Sequence, residues 1–393
     1  MQKYNPVLIA NVSIRTNNFS MSRQPANAIA EIGPEGVPGR YWHPLDGGRL
    51  QCDLCPRYCK LREGQRGLCF VRARRDDVIV LTTYGRSSGF CIDPIEKKPL
   101  NHFLPGTPVL SFGTAGCNLA CKFCQNWDIS KSHEFDRLGE SASPEAIAEA
   151  ALAKGCRSVA FTYNDPVIFL EYAVEVAQAC QERGLRTIAV TAGYITEEPR
   201  EEFFRHMDAA NVDLKAFTER FYRKICGGHL EPVLNTLKYL RDETDVWFEL
   251  SDLLIPGEND SESEIGEMTQ WILTHLGPDV PLHFTAFHPD WKMMDKPPTP
   301  IQTLQRSREI ALRNGLRYVF TGNVHDFRGS CTYCHQCGEI LVGRDWYVLS
   351  TWGLDVHDGK AACHACGSHV AGVFEEQPGS WGARRQPVRV APV

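Results

Sequence analysis

Residues 113–127 read Gly-Thr-Ala-Gly-Cys-Asn-Leu-Ala-Cys-Lys-Phe-Cys-Gln-Asn-Trp and carry Cys117, Cys121 and Cys124 at C-x3-C-x2-C spacing. Three thiolates so close in sequence can converge on one inorganic centre, and iron–sulfur cubes are ordinarily held by four cysteines. A cube held at three corners keeps one iron open to a further ligand, and an open position marks a catalytic rather than a structural metal. The preceding Val109-Leu110-Ser111-Phe112 reads as a buried strand, and Gly113 and Gly116 permit tight backbone geometry. The cysteines therefore fall in a loop directly after a strand, where a β/α barrel keeps its chemistry. A three-cysteine zinc knuckle and a cube completed by a distant cysteine are the structural alternatives in a chain with 16 cysteines.

Downstream, short apolar strands alternate with amphipathic helices. Strands are expected near 158–162, 186–191, 211–216, 245–250, 281–287 and 318–321. Helices are expected over 144–154, 166–183, after 197, 219–226, 233–243, 263–276 and 303–314. With the strand at 109–112 this makes six or seven parallel βαβ units. An open, partial β/α barrel fits better than a doubly wound sheet, although both give this alternation. The expected organisation is a flexible arm (1–40), a Cys-rich N-terminal domain (41–105), the α/β barrel (106–326), a zinc ribbon (327–376) and a flexible tail (377–393). Met21 is as good a start as Met1.

Two further cysteine groups flank the alternating region. Cys52, Cys55, Cys59 and Cys69 lie within eighteen residues, with Gly64 and Gly67 marking turns. Four soft ligands so close can close a metal site of zinc or a second cluster, and unliganded thiols are the alternative. Cys334-x2-Cys337 and Cys363-x2-Cys366, each followed by glycine, form the pattern of a structural zinc ribbon with 339–350 as a strand pair. Cys331 reads as a spare thiol.

Strand ends supply the remaining candidates. Asn164 and Asp165 close one strand just before a helix, where Asp165 serves equally as an N-cap. Asp213 and Lys215 share a face of their strand, and opposite charges in an apolar strand are costly unless paired or functional. Thr191 ends the third strand, and His288 follows the sixth. Composition excludes other classes. The net charge of -6 argues against nucleic-acid binding, and no apolar run is long enough to span a membrane. No secretory pattern opens the chain, so a cytoplasmic protein with reduced cysteines is expected, and a monomer.

These motifs together resemble the radical S-adenosylmethionine (SAM) component of the AmmeMemoRadiSam system, a branch similar to the pyruvate formate-lyase activating enzymes. The resemblance rests on the Cys52–Cys69 spacing, on Asp93-Pro94-Ile95-Glu96-Lys97-Lys98-Pro99-Leu100, on the cysteine loop through Ser130, and on Thr162-Tyr163-Asn164-Asp165-Pro166. Leu254-Ile255-Pro256-Gly257, Thr321-Gly322-Asn323-Val324 and the terminal ribbon extend it over roughly residues 41–375. It implies a 4Fe–4S cluster on Cys117, Cys121 and Cys124 that cleaves SAM reductively, with the resulting radical abstracting hydrogen from a protein or a small molecule. It implies a flavodoxin- or ferredoxin-like electron donor, with Memo-like and AMMECR-domain proteins as partners. Phe123 and Gln125 would flank adenine, Asn164 and Asp165 would meet the methionine amino group, Asp213 and Lys215 its carboxylate, and His288 the adenosine. Two departures stand out. Tyr-Asn-Asp-Pro replaces the Gly-Gly-Glu motif, and Val190 stands before Thr191 where the activating enzymes carry an acid. A non-enzymatic zinc or iron–sulfur adaptor and an electron carrier are the contrasting classes.

Overall fold

The computed structural model describes residues 36–131 and 139–390. Most of the expected arm, with Met1 and Met21, and residues 391–393 lie outside the described residues. A nine-stranded sheet forms the centre. Its strands in chain order are β1 (Phe90–Pro94), β2 (Pro108–Phe112), β3 (Ser158–Phe161), β4 (Arg186–Thr191), β5 (Ala209–Asp213), β6 (Trp247–Leu254), β7 (Leu282–Ala286), β8 (Val319–Gly322) and β9 (Gln386–Val388). From β2 to β8 each strand lies parallel beside the next. Parallel neighbours need crossovers. These are helices α1 (Pro144–Ala153), α2 (Leu170–Gln181), α3 (Glu197–Arg205), α4 (Glu231–Glu243), α5 (Glu262–His275) and α6 (Ile301–Arg313). The strand order never reverses, whereas a doubly wound sheet turns back at a switch point. The doubly wound alternative is thereby excluded.

Local signals set the element ends. Ser143 caps α1 by accepting the Ala146 N–H at 3.1 Å, with Pro144 at the first helical position. Asp165 caps a short 3-10 turn, Pro166–Phe169, before α2 begins, so the helix expected from Pro166 starts in two stages. β5 stops at Asp213, earlier than expected, because the Leu214 N–H bonds back to Val212 O at 3.1 Å and turns the chain. Lys215 therefore lies beyond the strand. β6 runs four residues past the expected end at Leu250. Alternation along β2 to β8 is weak, as a parallel sheet covered on both faces requires; β3 is buried at all its positions.

Both ends of the chain differ from expectation. Residues 36–40 are not part of a free arm: Val37–Pro38 pairs antiparallel with Val78–Leu81. Gly36 has φ +85°, and a side chain there would meet the Leu81 carbonyl oxygen. The segment 377–393 is expected from sequence as a flexible tail. Instead β9 pairs antiparallel with β1, which itself leaves the Cys-rich segment to pair with β2. Val388 and Val390 are buried there, and the apolar alternation outweighs the intervening charge.

The Cys-rich segment forms two small antiparallel sheets, and residues 332–370 form two more. The first is fastened to α2 by the buried Arg72–Glu171 pair, with Nη1 donating to Oε1 at 2.9 Å. Among the described residues no helix is long and apolar enough to cross a membrane.

Candidate functional site

The loop after β2 is shaped by contacts that only glycine allows. A Cβ on Gly113 would lie 2.3 Å from Thr162 O, and one on Gly116, at φ +82°, would lie 1.9 Å from Cys69 O. Buried Asn164, after β3, holds the same stretch. Its Oδ1 accepts the Thr114 N–H at 3.1 Å, and its Nδ2 donates to Gly116 O at 2.9 Å, Thr114 Oγ1 at 3.2 Å and Ala115 O at 3.3 Å. Tyr163 stands just before it in the left-handed region at φ +71°. Arg57 Nε donates to Asn118 O at 2.8 Å, and Asn118 Nδ2 to Tyr194 O at 2.8 Å. The Ala120 and Lys122 N–H groups donate to Cys226 O and Ile225 O at 2.7 and 3.0 Å. The loop is thus fixed from four directions.

At the C-terminal ends of the parallel strands this loop borders a cavity of about 300 Å³. Cys117, Cys121, Cys124, Phe123, Gln125, Asn164, Asp165, Thr191, Asp213 and Lys215 all line it. Their tasks differ from one another. Asp165 has both carboxylate oxygens engaged: Oδ1 accepts from Val167 N at 3.1 Å and Thr191 Oγ1 at 3.0 Å, and Oδ2 from Ala192 N at 2.9 Å. Burial raises its pKa, and those bonds oppose the rise. Lys215 Nζ donates to Asp213 Oδ2 at 2.8 Å. Burial pulls the ammonium's pKa down, but Asp213 and the nearby thiolates outweigh it, leaving it well above the ordinary lysine value. Phe123 packs on Phe221, ring centres 5.9 Å apart, while Gln125 is exposed.

The three thiols sit in unlike surroundings. Burial raises Cys117 to about 11, with Lys131 opposing. Burial also raises Cys124, against a contact to Ser130 Oγ at 3.0 Å. Cys121 is lowered to about 7, chiefly by a hydrogen bond from the Cys226 thiol, with Lys215 and Lys131 adding positive charge. Cys226 escaped sequence reading because nothing in its own neighbourhood, Arg-Lys-Ile-Cys-Gly-Gly, marks it as belonging to this loop. Lysines beside converging thiols and backbone N–H donors from Leu119 and Asn126 suit a negatively charged thiolate centre. The donor set fits an iron–sulfur cluster.

One candidate does not join the others. His288 lies past β7 with its side chain 77% exposed, 3.7 Å from Asp290, and outside the residues lining the cavity. Glu249, on β6, has a structural task. It accepts the Asn101 and His102 N–H groups at 2.9 and 2.7 Å and pairs with His283 at 2.7 Å, tying β6 to the segment before β2.

The C-terminal cysteines form a different kind of group. The ligand atoms of Cys334, Cys337, Cys363 and Cys366 all lie within 4.8 Å of one another, the only such group among the described residues. Cys334 and Cys366 sulfurs are 3.6 Å apart and those of Cys337 and Cys363 3.7 Å. Cys331 is buried outside that group, its sulfur accepting the Arg344 N–H at 3.4 Å.

Comparison with known proteins adds the following. Residues 112–270, from the end of β2 into α5, match the Radical SAM superfamily. An uncharacterised protein of Methanocaldococcus jannaschii is 38% identical over 330 residues, covering 84% of this chain and 97% of its own. The pyruvate formate-lyase-activating enzyme of Listeria monocytogenes is 26% identical over 182 residues, covering 43% of this chain and 71% of its own. Among solved structures, a radical SAM methyltransferase from Sphaerobacter thermophilus is 15% identical, with a TM-score of 0.46 over 61% of this chain and 71% of that one.

Proposed function

We propose that this chain, which belongs to the radical SAM superfamily, is an activating-enzyme-like oxidoreductase whose parallel strands serve as a partial, open β/α barrel around bound SAM. Membership implies a 4Fe–4S cluster and SAM. The observation that carries the reading is the meeting, in one cavity, of the three-cysteine loop with Asp165, Thr191 and the Asp213–Lys215 pair. Cys117, Cys121 and Cys124 would hold the cluster. When bound, it supplies the electron that cleaves SAM to methionine and a 5′-deoxyadenosyl radical, which abstracts hydrogen from the substrate.

The chain's own residues bind and orient. Lys215 is kept cationic by Asp213 and is suited to meet the SAM carboxylate. The Asp165 carboxylate fixes Thr191 and the Ala192 N–H, which shape the cavity wall, and the resemblance points it toward the SAM amino group. Asn164 spends its amide on positioning the cysteine loop. Phe123 and the apolar strand ends exclude water. The C-terminal four-cysteine group holds a structural zinc, consistent with its sulfur spacing.

The hydrogen donor is a protein partner, in line with the activating enzymes this chain resembles, and Memo-like and AMMECR-domain proteins are the candidate partners. The reductant is a flavodoxin- or ferredoxin-like protein in a cytoplasmic setting. A small-molecule donor is a second reading. It is favoured by a further cavity of about 290 Å³ that shares Lys97, Gln125, Tyr163 and Asn323 with the first and reaches buried Glu96 and Arg344.

The test is anaerobic incubation of reconstituted protein with reductant and SAM, following 5′-deoxyadenosine by chromatography. Turnover is expected, and its loss in Cys124→Ala with the C-terminal zinc retained. No product from iron-loaded wild type would overturn the reading. With candidate partners added, an electron paramagnetic resonance (EPR) signal on the partner selects the first donor class, and turnover without one selects the second.

A further inference from the structure

The Cys-rich unit contains four thiols that the SAM reading leaves idle. Cys52 ends the strand Arg49–Cys52, Cys55 and Cys59 lie in the turn leading to Lys60–Leu61, and Cys69 precedes Arg72–Arg75. The turn closes on itself: the Cys52 N–H donates to Cys59 O at 2.9 Å and the Tyr58 N–H to Cys55 O at 3.1 Å. Tyr58 and Phe70, which abut Cys59 and Cys69, take left-handed φ values of +46° and +71°. Such a conformation costs a non-glycine residue about 1 kcal/mol or more. A Cβ on Gly67 would lie 3.6 Å from the Cys59 sulfur and 3.7 Å from that of Cys69, so both sulfurs stand over one glycine.

Backbone donors are turned toward these sulfurs. The Leu54 N–H bonds to Cys52, that of Arg57 to Cys55 and that of Arg72 to Cys69. The spacing of two residues seen at Cys52 and Cys55 recurs at Cys117 and Cys124 in the cluster loop, and at Cys337 and Cys366 in the C-terminal group. Burial raises Cys69 and Cys156 alike to about 12, but only at Cys69 does a backbone amide, that of Arg72, oppose the rise. The unit thus shares with the two other cysteine groups an amide hydrogen turned back to a sulfur two residues earlier, a local pattern that Cys331, bonded by the distant Arg344 N–H, does not have. The Arg72 charge, itself buried, lies close enough to favour the thiolates of Cys52 and Cys69.

Size then separates the two metals. Zinc–thiolate bonds of about 2.3 Å in a tetrahedron put sulfurs about 3.8 Å apart. The C-terminal group has that spacing. No three of the sulfurs of Cys52, Cys55, Cys59 and Cys69 lie mutually within 4.8 Å, and the same is true of Cys117, Cys121 and Cys124. The N-terminal quartet thus lacks the close single-ion spacing of the C-terminal group, as the cluster loop does. We propose that Cys52, Cys55, Cys59 and Cys69 ligate a second 4Fe–4S cluster, closed on all four irons.

Its place in the fold gives it a role. Cys69 O is packed directly against Gly116, the residue bonded to Cys117, and Arg57 bonds Asn118 in the same loop. One electron taken from a one-electron donor protein reduces this cluster by one unit. Passed on across the Cys69–Gly116 contact, it returns the cluster to its starting state. The ligand assignment goes beyond the SAM reading and stands apart from whether SAM is cleaved.

The test is metal analysis and Mössbauer spectroscopy of the full chain carrying Cys117→Ala, Cys121→Ala and Cys124→Ala together, after anaerobic reconstitution. About four irons and four sulfides per chain are expected to remain, against about eight in wild type. An iron-free triple variant overturns the proposal: with a second zinc the quartet is a zinc site, and without one it is a set of reduced thiols. Cys59 is the least buried of the four, so Cys59→Ser added to the triple variant tests the ligand set with little risk to folding. Its Mössbauer parameters or iron content should change while circular dichroism and the C-terminal zinc do not. An unchanged spectrum would overturn the assignment.

Discussion

Replacing Asn164 with alanine separates a residue that holds the loop from one that binds SAM. The amide accepts the Thr114 N–H and donates to the Gly116 carbonyl at normal lengths, with two weaker contacts to Thr114 Oγ1 and Ala115 O. Thr114 is fully buried, so truncation takes away the side-chain partner of its N–H and of the Gly116 carbonyl. At about 1 kcal/mol for each good bond and about as much again for the weaker pair, the local cost is about 3 kcal/mol. Opening of the loop then becomes about a hundredfold more frequent. Native-state hydrogen exchange at the Thr114 amide reads this directly, and iron retention should fall with it. Asn164→Asp keeps the shape but offers no donor, and should do no better. Unchanged exchange at Thr114 together with weakened SAM binding would refute the reasoning and return Asn164 to the cofactor.

Other perturbations follow from buried charges. His102 is buried and its pKa is lowered to about 4, chiefly by desolvation, while an unfolded histidine titrates at about 6.5. As pH falls between those values the unfolded chain takes up a proton that the folded chain refuses, so stability drops, by about 3 kcal/mol in all. Chemical denaturation across that range should show a slope that His102→Gln flattens by about one proton, and equal slopes would contradict this. Arg72→Met leaves the Glu171 carboxylate buried beside only the Arg40 N–H and should cost about 3–5 kcal/mol. Arg72→Met with Glu171→Leu should recover much of that loss in denaturant midpoint, and a double variant weaker than the single would refute the pairing argument.

Much of the fold was legible because its signals are local. Ser143-Pro144 announces a helix start, and the alternation of short apolar runs with amphipathic stretches gave the parallel units near their observed bounds. What escaped depends on partners distant in sequence. β1 and β9 pair across about three-quarters of the chain, Ile92 with Gln386, and the charged stretch before Val388 hid an edge strand. The cysteine loop, Asp165, Thr191 and Asp213–Lys215, singled out by residue type and position at strand ends, line one cavity. His288 lies apart from the cavity lining, because a strand-end position does not fix which way the following loop turns. Cys226 was missed because only the tertiary fold brings its thiol to Cys121. Asn164 was placed at the site from sequence, but its role follows from the carbonyls that surround it.

The central claim is that one iron of the cluster on Cys117, Cys121 and Cys124 has no protein ligand. Mössbauer spectra of reconstituted protein with and without SAM test it most directly. The account predicts that a single iron site shifts when SAM is added, and that the shift disappears in Cys124→Ala. A spectrum indifferent to SAM in wild type that becomes responsive in Cys226→Ala would contradict it, because the neighbouring thiol would then be occupying the corner assigned to SAM.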